Sequence, residues 1–245
     1  MIISIEKKSN TGDIFTTKAK GYAMSSIVCL VSGGMDSATL LYKARDHHGS
    51  EVSAVAFNYG QRHIKELDYA RRLCDTIKVP LEVIDISSIT PHISNSALTS
   101  DIPVPDGRYS DANMALTVVP NRNAIMLTIA FGLAVSKSIS IVAAAMHAGD
   151  HPLYPDCRPE FVDSFNSMQR TAVEGFGDPG LHLWAPFIEV SKSTIALEGY
   201  RLGVDFTKTW SCYNGREKHC GTCGTCTERR EAFRDAHIED PTDYE

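Results

Sequence analysis

The stretch Leu30–Tyr42, "LVSGGMDSATLLY", joins two segments of different pattern and decides the fold. The residues before its glycines, Ile27–Val31, are apolar and partly β-branched, which predicts a buried strand of a parallel sheet. The residues from Ala38 onward predict a helix. A strand, a tight glycine turn and a helix N-terminus form an anion site, because the free N–H groups of the turn and helix point at one spot.

The turn itself, Ser32–Ser37, carries the residue types that a phosphate site needs. Gly33 and Gly34 allow a close backbone approach and positive φ. Ser32 and Ser37 add hydroxyl donors. Asp36 is negatively charged, as phosphates are, so its presence here indicates a Mg²⁺ ion shared between them. The turn lacks the Gly-Lys-Ser/Thr of a Walker A loop and the G-x-G-x-x-G spacing of a dinucleotide fingerprint.

The rest of the chain alternates apolar runs with helical patterns. We predict further strands at residues 52–58, 81–86, 139–146 and 183–188, and helices from 38 to about 48, at 64–77, from about 123, at 161–172 and at 191–202. Residues 90–118 are polar and proline-rich and predict a long loop. This alternation indicates an α/β fold with a doubly wound parallel sheet, whose ligand lies at the carboxyl ends of the strands.

The composition narrows the class of protein. With 43% hydrophobic and 22% charged residues, the balance is that of an ordinary globular chain. No stretch approaches the roughly 18–20 continuous apolar residues of a membrane span, and the N-terminus lacks the apolar core of a signal peptide. We therefore expect a cytoplasmic protein with reduced cysteines and no membrane partner. The net charge of −6 argues against a nucleic-acid partner.

Four of the seven cysteines lie in one short stretch, residues 212–226, "CYNGREKHCGTCGTC". They are Cys212, Cys220, Cys223 and Cys226. Thiolates at such spacing can converge on one tetrahedral metal, with Gly221 and Gly224 expected to supply the turns between ligands. Structural zinc is the favoured ion, and an iron–sulfur cluster is the open alternative because it takes the same four thiolates. We expect His219 to lie outside the ligand set.

The glycine turn resembles SGGxDS, the pyrophosphate loop of the N-type ATP pyrophosphatases (the PP-loop superfamily, with an adenine nucleotide alpha hydrolase-like fold). Together with the cysteine cluster, it makes the chain similar to the 7-cyano-7-deazaguanine synthase family of queuosine precursor biosynthesis. The matching strings are "SGGMDS" at 32–37, "YGQRH" at 59–63, "VPNRN" at 119–123, "YPDCRPEF" at 154–161 and "TWSCYNG" at 209–215.

The resemblance implies a ligase that forms C–N bonds and converts ATP to AMP and pyrophosphate. Its substrates would be ATP, 7-carboxy-7-deazaguanine and ammonia. The carboxylate would be adenylated and aminated to an amide, and the amide oxygen would be adenylated in turn and lost as AMP, which leaves the nitrile. The implied cofactors are Mg²⁺ with ATP and structural Zn²⁺, and the implied assembly is a homodimer.

The resemblance also implies the site residues. ATP binding is expected at Ser32, Gly33, Gly34, Met35, Asp36, Ser37, Tyr59, Gln61 and Arg122. Asp36, Arg122 and Lys192 are the expected catalytic residues, although a solvated lysine at a helix end is the alternative for Lys192. The substrate is expected to contact Tyr154, Asp156, Arg158 and Asp150. Among these, Asp156 would accept hydrogen bonds from the N–H donors of the guanine-like base, and Arg158 would face the substrate carboxylate.

Three features depart from the family pattern. About 25 residues, which predict a β-hairpin, precede the first strand of the sheet. Asn121 stands where many relatives carry glycine, and asparagine tolerates positive φ. The string "HAGDHPLYPDC" at 147–157 is longer than in other relatives. We accordingly divide the chain into an N-terminal extension at 1–25, an ATP-binding domain at 26–205 and a zinc-binding segment at 206–245.

These departures leave rival functions open. A related ligase could pass the adenylated deazaguanine to a protein amine, which needs an open approach to the adenylate. A tRNA thiolase would need a basic face, which the net charge does not favour. A non-catalytic zinc-knuckle binding module would leave Asp36 and the glycine turn unexplained.

Overall fold

The computed structural model describes residues 26–93, 95–107 and 115–245, so the hairpin predicted within residues 1–25 lies outside the described residues. The strands are β1 (Ile27–Leu30), β2 (Val52–Asn58), β3 (Leu81–Asp85), β4 (Ile141–Ala143) and β5 (His182–Trp184). The helices are α1 (Met35–His48), α2 (Glu66–Ile77), α3 (Thr90–Ile93), α4 (Arg122–Ser136), α5 (Pro159–Ala172), α6 (Lys192–Arg201) and α7 (Gly224–Asp235).

The five strands form one parallel sheet in the order β3-β2-β1-β4-β5. The predicted doubly wound α/β fold is confirmed. The chain runs from β1 outward to β3, and then crosses to the other side of β1 for β4 and β5. The strand order therefore reverses between β1 and β4, and a crevice opens there at the carboxyl ends of the strands.

Helices cover both faces of the sheet because side chains alternate along each strand. Ile27 and Cys29 pack on the face that carries α1, α2, α6 and α7. Val28 packs on the opposite face with Phe131 of α4 and Phe165 of α5. Burial against the sheet accounts for the apolar sequence of α4. Among the described helices, none combines the length and apolarity that a membrane crossing requires.

Two predicted strands are shorter in the structure, and two helices were not predicted. β4 was expected over 139–146 but ends at Ala143, because the chain then leaves the ladder and residues 144–146 line a cavity. β5 was expected over 183–188 and ends at Trp184. α3 lies in the segment predicted to be a loop. α7 begins inside the cysteine stretch, whose residues were interpreted as metal ligands alone.

Candidate active site at the carboxyl ends of the strands

The glycine turn after β1 leads directly into the N-terminus of α1, as predicted. Gly34 is the N-cap residue of α1, and no side chain caps the helix. The hydroxyls of Ser32 and Ser37 lie 3.2 Å apart, and the Ser37 hydroxyl accepts from the Ser32 N–H and donates to the Gly34 carbonyl. This leaves the N-terminal N–H groups of α1 available to an anion.

Gly33 lies where no other residue fits. Its φ is +81°, and a Cβ atom there would lie 2.4 Å from the Glu66 carbonyl oxygen and 2.8 Å from the Ala70 nitrogen of α2. Its carbonyl accepts a 2.8 Å hydrogen bond from the Trp210 N–H. The turn is thus held between α2 and the C-terminal segment, while Gly33 itself does not line the cavity.

A cavity of about 280 Å³ lies above the turn, at the carboxyl ends of the sheet. It brings together ten of the predicted site residues: Ser32, Gly34, Met35, Asp36, Ser37, Tyr59, Arg122, Asp150, Tyr154 and Lys192. These residues come from segments far apart in the sequence. They meet because the turns that follow β1, β2 and β4 share one edge of the sheet.

Lys192 stands between two carboxylates of the cavity. Its Nζ lies 3.2 Å from Asp36 Oδ2 and 2.7 Å from Glu228 Oε2, and its side chain is 16% exposed. Burial opposes the charged form, but Asp36, Glu228 and Asp150 outweigh it and raise the pKa of the Lys192 ammonium. Lys192 is therefore a fixed cation inside the cavity and not a solvated lysine at the end of a helix.

His147 and Asp150 extend this charged group. His147 Nε2 lies 3.6 Å from Asp150 Oδ2 and 3.9 Å from Asp36 Oδ2. His147 Nδ1 accepts from the Gly149 N–H at 3.1 Å, so in the neutral ring the hydrogen sits on Nε2 and faces the carboxylates. Burial raises the pKa of Asp150, although His147 and Lys192 counteract this effect.

Asp36 retains an unused acceptor that suits a Mg²⁺ ion. Its Oδ1 atom is buried and has no hydrogen-bond partner in the described part of the chain, while Oδ2 faces Lys192. An unpaired buried carboxylate oxygen is unfavourable. Mg²⁺ prefers oxygen ligands and is commonly bound by one or two carboxylates together with substrate phosphates. The residues present therefore fit the ion that the sequence pattern implies.

Arg122 is an arginine without a carboxylate partner in the described residues. Its guanidinium lies 5.7 Å from the centre of the Tyr59 ring and 3.5 Å from the Tyr59 hydroxyl. Asn121, just before it, has φ +58°, which confirms that asparagine supports a turn with positive φ at this position. Tyr154 also lines the cavity, with its hydroxyl 2.8 Å from Thr117 Oγ1.

Besides Gly33, three residues predicted to bind ATP or the substrate do not line the cavity. Gln61 is buried and turned inward, where its amide joins the Phe57 carbonyl to the Glu66 carboxylate. Asp156 Oδ2 accepts from the Asn123 N–H, so it satisfies the N-terminus of α4. Arg158 is exposed and donates to the His151 carbonyl. The local hydrogen-bonding needs of these turns direct the side chains away from the space where a substrate would bind.

The four cysteines of the C-terminal stretch meet as predicted. They are buried, and their sulfur atoms all lie within 4.8 Å of one another, with Cys220 and Cys226 at 4.0 Å. A zinc ion with bonds of about 2.3 Å places tetrahedral sulfurs about 3.8 Å apart, so the four thiols fit this ion. His219 is not in the ligand set, since its Nε2 accepts from the Ser211 N–H.

One detail of the cysteine cluster was predicted wrongly. Gly221 has φ +72° and supplies a turn, as expected. Gly224 does not supply one, because it is the first residue of α7 and Cys223 is the N-cap residue. Two of the four cysteines therefore sit at the beginning of a helix.

This arrangement places residues next to the cysteine cluster in the cavity wall, although the four cysteines themselves do not line it. These neighbouring residues are Trp210, Ser211, Tyr213, Thr225 and Glu228. None of them was predicted to be a site residue. Glu228 could have been found from its position on α7, five residues after Cys223, if the helix had been recognised from the apolar Ala232 and Phe233 behind it.

The sheet order, the glycine turn and the cavity define an α/β protein of the PP-loop class. The family model "Queuosine biosynthesis protein QueC" matches residues 26–237, and the chain belongs to this family.

Curated relatives agree with the family match. The 7-cyano-7-deazaguanine synthase of Agrobacterium fabrum is 53% identical over 222 residues, which cover 91% of this chain and 92% of the relative. The enzyme of the same name from Rhizobium rhizogenes is 52% identical over 219 residues, which cover 89% and 91%. Among solved structures, NMN synthetase from Francisella tularensis covers 89% of this chain and 80% of its own, with 13% identity and a TM-score of 0.48.

Proposed function

We propose that this protein is a ligase that converts 7-carboxy-7-deazaguanine, ammonia and ATP into 7-cyano-7-deazaguanine, AMP and pyrophosphate. Relatives more than half identical over most of the chain carry the name of that activity. The observation that carries the proposal is Asp36, whose unpaired Oδ1 lies at an open helix N-terminus beside the cation Lys192. Such a site stabilises a pyrophosphate leaving group and its Mg²⁺.

The turn and its neighbours would bind ATP. The N–H groups at the start of α1 and the hydroxyls of Ser32 and Ser37 would hold the phosphates that leave as pyrophosphate. Mg²⁺, held by Asp36, would neutralise charge on the phosphates. Lys192 would donate to the oxygens that become negative as the bond to the α-phosphate breaks. Met35 and Tyr59 supply apolar surface beside this site.

Arg122 would take the role that the sequence suggested for Arg158. Among the described residues, it is the arginine that lines the cavity, and no carboxylate there neutralises it. A guanidinium can bind the substrate carboxylate with two parallel hydrogen bonds. Tyr154 would contact the flat base, and Asp150 would accept from its N–H donors in place of Asp156. Carboxylate acceptors match the donor edge of a guanine-like ring.

Two rounds of the same activation account for the product. In the first, a carboxylate oxygen attacks the α-phosphorus of ATP and pyrophosphate leaves. Ammonia then adds to the carbonyl carbon, loses a proton, and the C–O bond to AMP breaks to give the amide. In the second round the amide oxygen attacks ATP, and loss of AMP with the remaining N–H protons gives C≡N. The departing oxygen occupies the same place each time, so one cavity can serve both rounds.

We further propose that the cysteine cluster holds one structural zinc ion, since it offers four thiols and no open ligand position. Because the ligand thiols must stay reduced, we assign the protein to the cytoplasm. The homodimer implied by the family resemblance is part of the same proposal.

Mass spectrometry of a reaction mixture tests the proposed function. Purified protein would be incubated with ATP, Mg²⁺, 7-carboxy-7-deazaguanine and ammonium, and a nitrile product with two AMP per nitrile is expected. Pyrophosphate release with a product that stops at the adenylate would indicate a different acceptor, such as a protein amine. Absence of both AMP and nitrile from the zinc-loaded protein would overturn the substrate assignment.

A further inference from the structure

The proposed reaction places an unusual demand on proton acceptors. Ammonium enters with four N–H bonds, and the nitrile nitrogen has none. Ammonia can attack only as the free base, and the last two N–H protons must leave as AMP departs from the second adenylate. A cavity that performs these steps needs a side chain with a free lone pair near the nitrogen.

Most basic groups of the cavity are already engaged. Lys192 contacts Asp36 and Glu228, and Asp150 faces His147. The ring of His147 has no free lone pair, because Nδ1 accepts from Gly149. Burial raises the pKa of the Cys157 thiol, which keeps the thiol neutral and a poor base.

His63 differs from these groups. It lines the cavity, its side chain is 4% exposed, and its Nδ1 atom is buried with no hydrogen-bond partner among the described residues. Its other ring nitrogen, Nε2, lies 3.4 Å from Glu66 Oε2. The tautomer with hydrogen on Nε2 is favoured, since the other tautomer would set a lone pair against the carboxylate. The lone pair of Nδ1 is therefore unused.

The surroundings hold this imidazole in one orientation. The Glu66 carboxylate is fixed from behind by a 2.9 Å hydrogen bond from Gln61 Nε2. The ring of Tyr213 packs against the His63 ring with centroids 5.2 Å apart. A base whose far nitrogen faces a fixed carboxylate is held in one orientation and one tautomer.

We propose that His63, oriented by Glu66, is the base that removes protons from the substrate nitrogen. This inference rests on the proposed function and adds a catalytic residue to it. In the first round, His63 Nδ1 takes a proton from the ammonium nitrogen of the tetrahedral adduct, and the C–O bond to AMP breaks. In the second, it takes an N–H proton from the adenylated amide as AMP leaves and the C≡N bond forms. Each proton then passes to water.

The variant His63→Gln tests the proposal, because glutamine can still donate toward Glu66 but cannot serve as a base. Adenylation is measured separately, as exchange of labelled pyrophosphate into ATP that depends on 7-carboxy-7-deazaguanine. We expect exchange within about threefold of the unsubstituted protein, and ammonia-dependent product to fall by about 100-fold. With hydroxylamine, the nitrogen of the adduct is a much stronger acid and can lose its proton to water, so the hydroxamate should form within about fivefold of the normal rate.

His151→Gln is the matched control. His151 also has a buried ring nitrogen without a partner in the described chain, but it does not line the cavity. This variant should keep both activities.

Two results with His63→Gln would overturn the role of His63. One is an equal loss of the ammonia-dependent and the hydroxylamine-dependent product. The other is a parallel loss of pyrophosphate exchange in a variant whose zinc content and melting temperature are normal. If His63→Gln does not fold, Glu66→Gln replaces it, with a loss of about tenfold expected with ammonia and little loss with hydroxylamine. Absence of exchange in the unsubstituted protein would instead remove the proposed function.

Discussion

Lys192 Nζ donates a 2.7 Å hydrogen bond to Glu228 Oε2. This contact joins the first residue of α6 to α7, the helix that begins inside the cysteine cluster. The same ammonium lies 3.2 Å from Asp36 in the glycine turn. The Lys192 ammonium thus connects the glycine turn, helix α6 and the helix that begins in the cysteine cluster. The charge balance of the cavity depends on all three.

Replacing Lys192 by methionine should abolish adenylation and reduce stability. Asp36 and Glu228 would be left facing each other without a cation, at side-chain exposures of 21% and 24%. We expect a loss of about 2 kcal/mol in the free energy of unfolding, below the 3–5 kcal/mol typical of a fully buried pair because water screens these groups. Pyrophosphate exchange should fall by at least about 100-fold.

Lys43→Met provides the comparison for that variant. Lys43 pairs with Glu198, also between α1 and α6, with side chains 22% and 29% exposed, but lies away from the cavity. It should lose about 1 kcal/mol or less and retain exchange activity. Similar activity losses in the two variants would contradict a role for Lys192 in phosphate binding.

Replacing Gly33 by alanine should be far more destabilising than the same change at Gly203. Both have positive φ, at +81° and +77°, which costs alanine about 1–2 kcal/mol. A Cβ at Gly33 would also collide with the α2 backbone, whereas nothing lies within 4 Å of one at Gly203. We expect a loss of about 3 kcal/mol or more at Gly33 in urea unfolding. Equal losses at the two positions would show that the α2 backbone moves away from the added Cβ atom without a further loss of stability.

Removal of the metal should disable the cavity as well as the cluster. Cys223 is the N-cap residue of α7, and Thr225 and Glu228 of that helix line the cavity. Cys223→Ala should reduce bound zinc from about one ion per chain to a small fraction, and pyrophosphate exchange should fall with it. Metal content is measured by mass spectrometry, and the absorption spectrum of the unsubstituted protein should lack iron–sulfur bands.

Cys74→Ala is the matched control for the metal site. Cys74 is also buried, but it lies in α2, outside the cluster. It should lose some stability and keep its zinc. Zinc retention in Cys223→Ala would exclude that thiolate as a ligand.

Asp240 should make stability depend on pH under acidic conditions. Burial disfavours its charged form, but hydrogen bonds from Thr242 and Tyr244 and the charge of Arg229 outweigh burial and lower its pKa. A carboxyl group whose pKa is lower in the folded state stabilises the fold above its unfolded value of about 3.9. That contribution is lost as the pH falls through the folded-state pKa.

Urea unfolding of Asp240→Asn and the unsubstituted protein between pH 7 and pH 3 measures this effect. The difference in free energy of unfolding between the two should be greatest at pH 7 and should shrink below about pH 4. Asp243→Asn is the control, since Asp243 is 73% exposed in its ion pair with Lys218. A difference that does not change with pH would show that the carboxylate charge of Asp240 is not what stabilises the C-terminal residues.

The sheet, the glycine turn and the cysteine cluster could be predicted from the sequence because each depends on local pattern. Apolar runs bounded by turns specify buried strands, and Ser32–Ser37 specify a glycine turn that enters a helix. Gln61, Asp156 and Arg158 lie in the predicted turns, but their side chains face other partners and do not line the cavity. The direction of a side chain in a turn is set by the nearest unsatisfied backbone or side-chain group, and sequence spacing does not reveal that group.

The sequence by itself determined the class of fold, the glycine turn and the clustering of the four cysteines, since backbone periodicity, glycine conformation and cysteine spacing act over a few residues. Only the tertiary structure decided that Glu228 of α7 contacts Lys192. It also decided that Nδ1 of His63 keeps an unused lone pair while Nε2 faces Glu66. Those relationships join residues from different elements. They follow from how the helices and the cysteine cluster pack at one edge of the sheet, where burial and hydrogen bonding act between parts of the chain far apart in sequence.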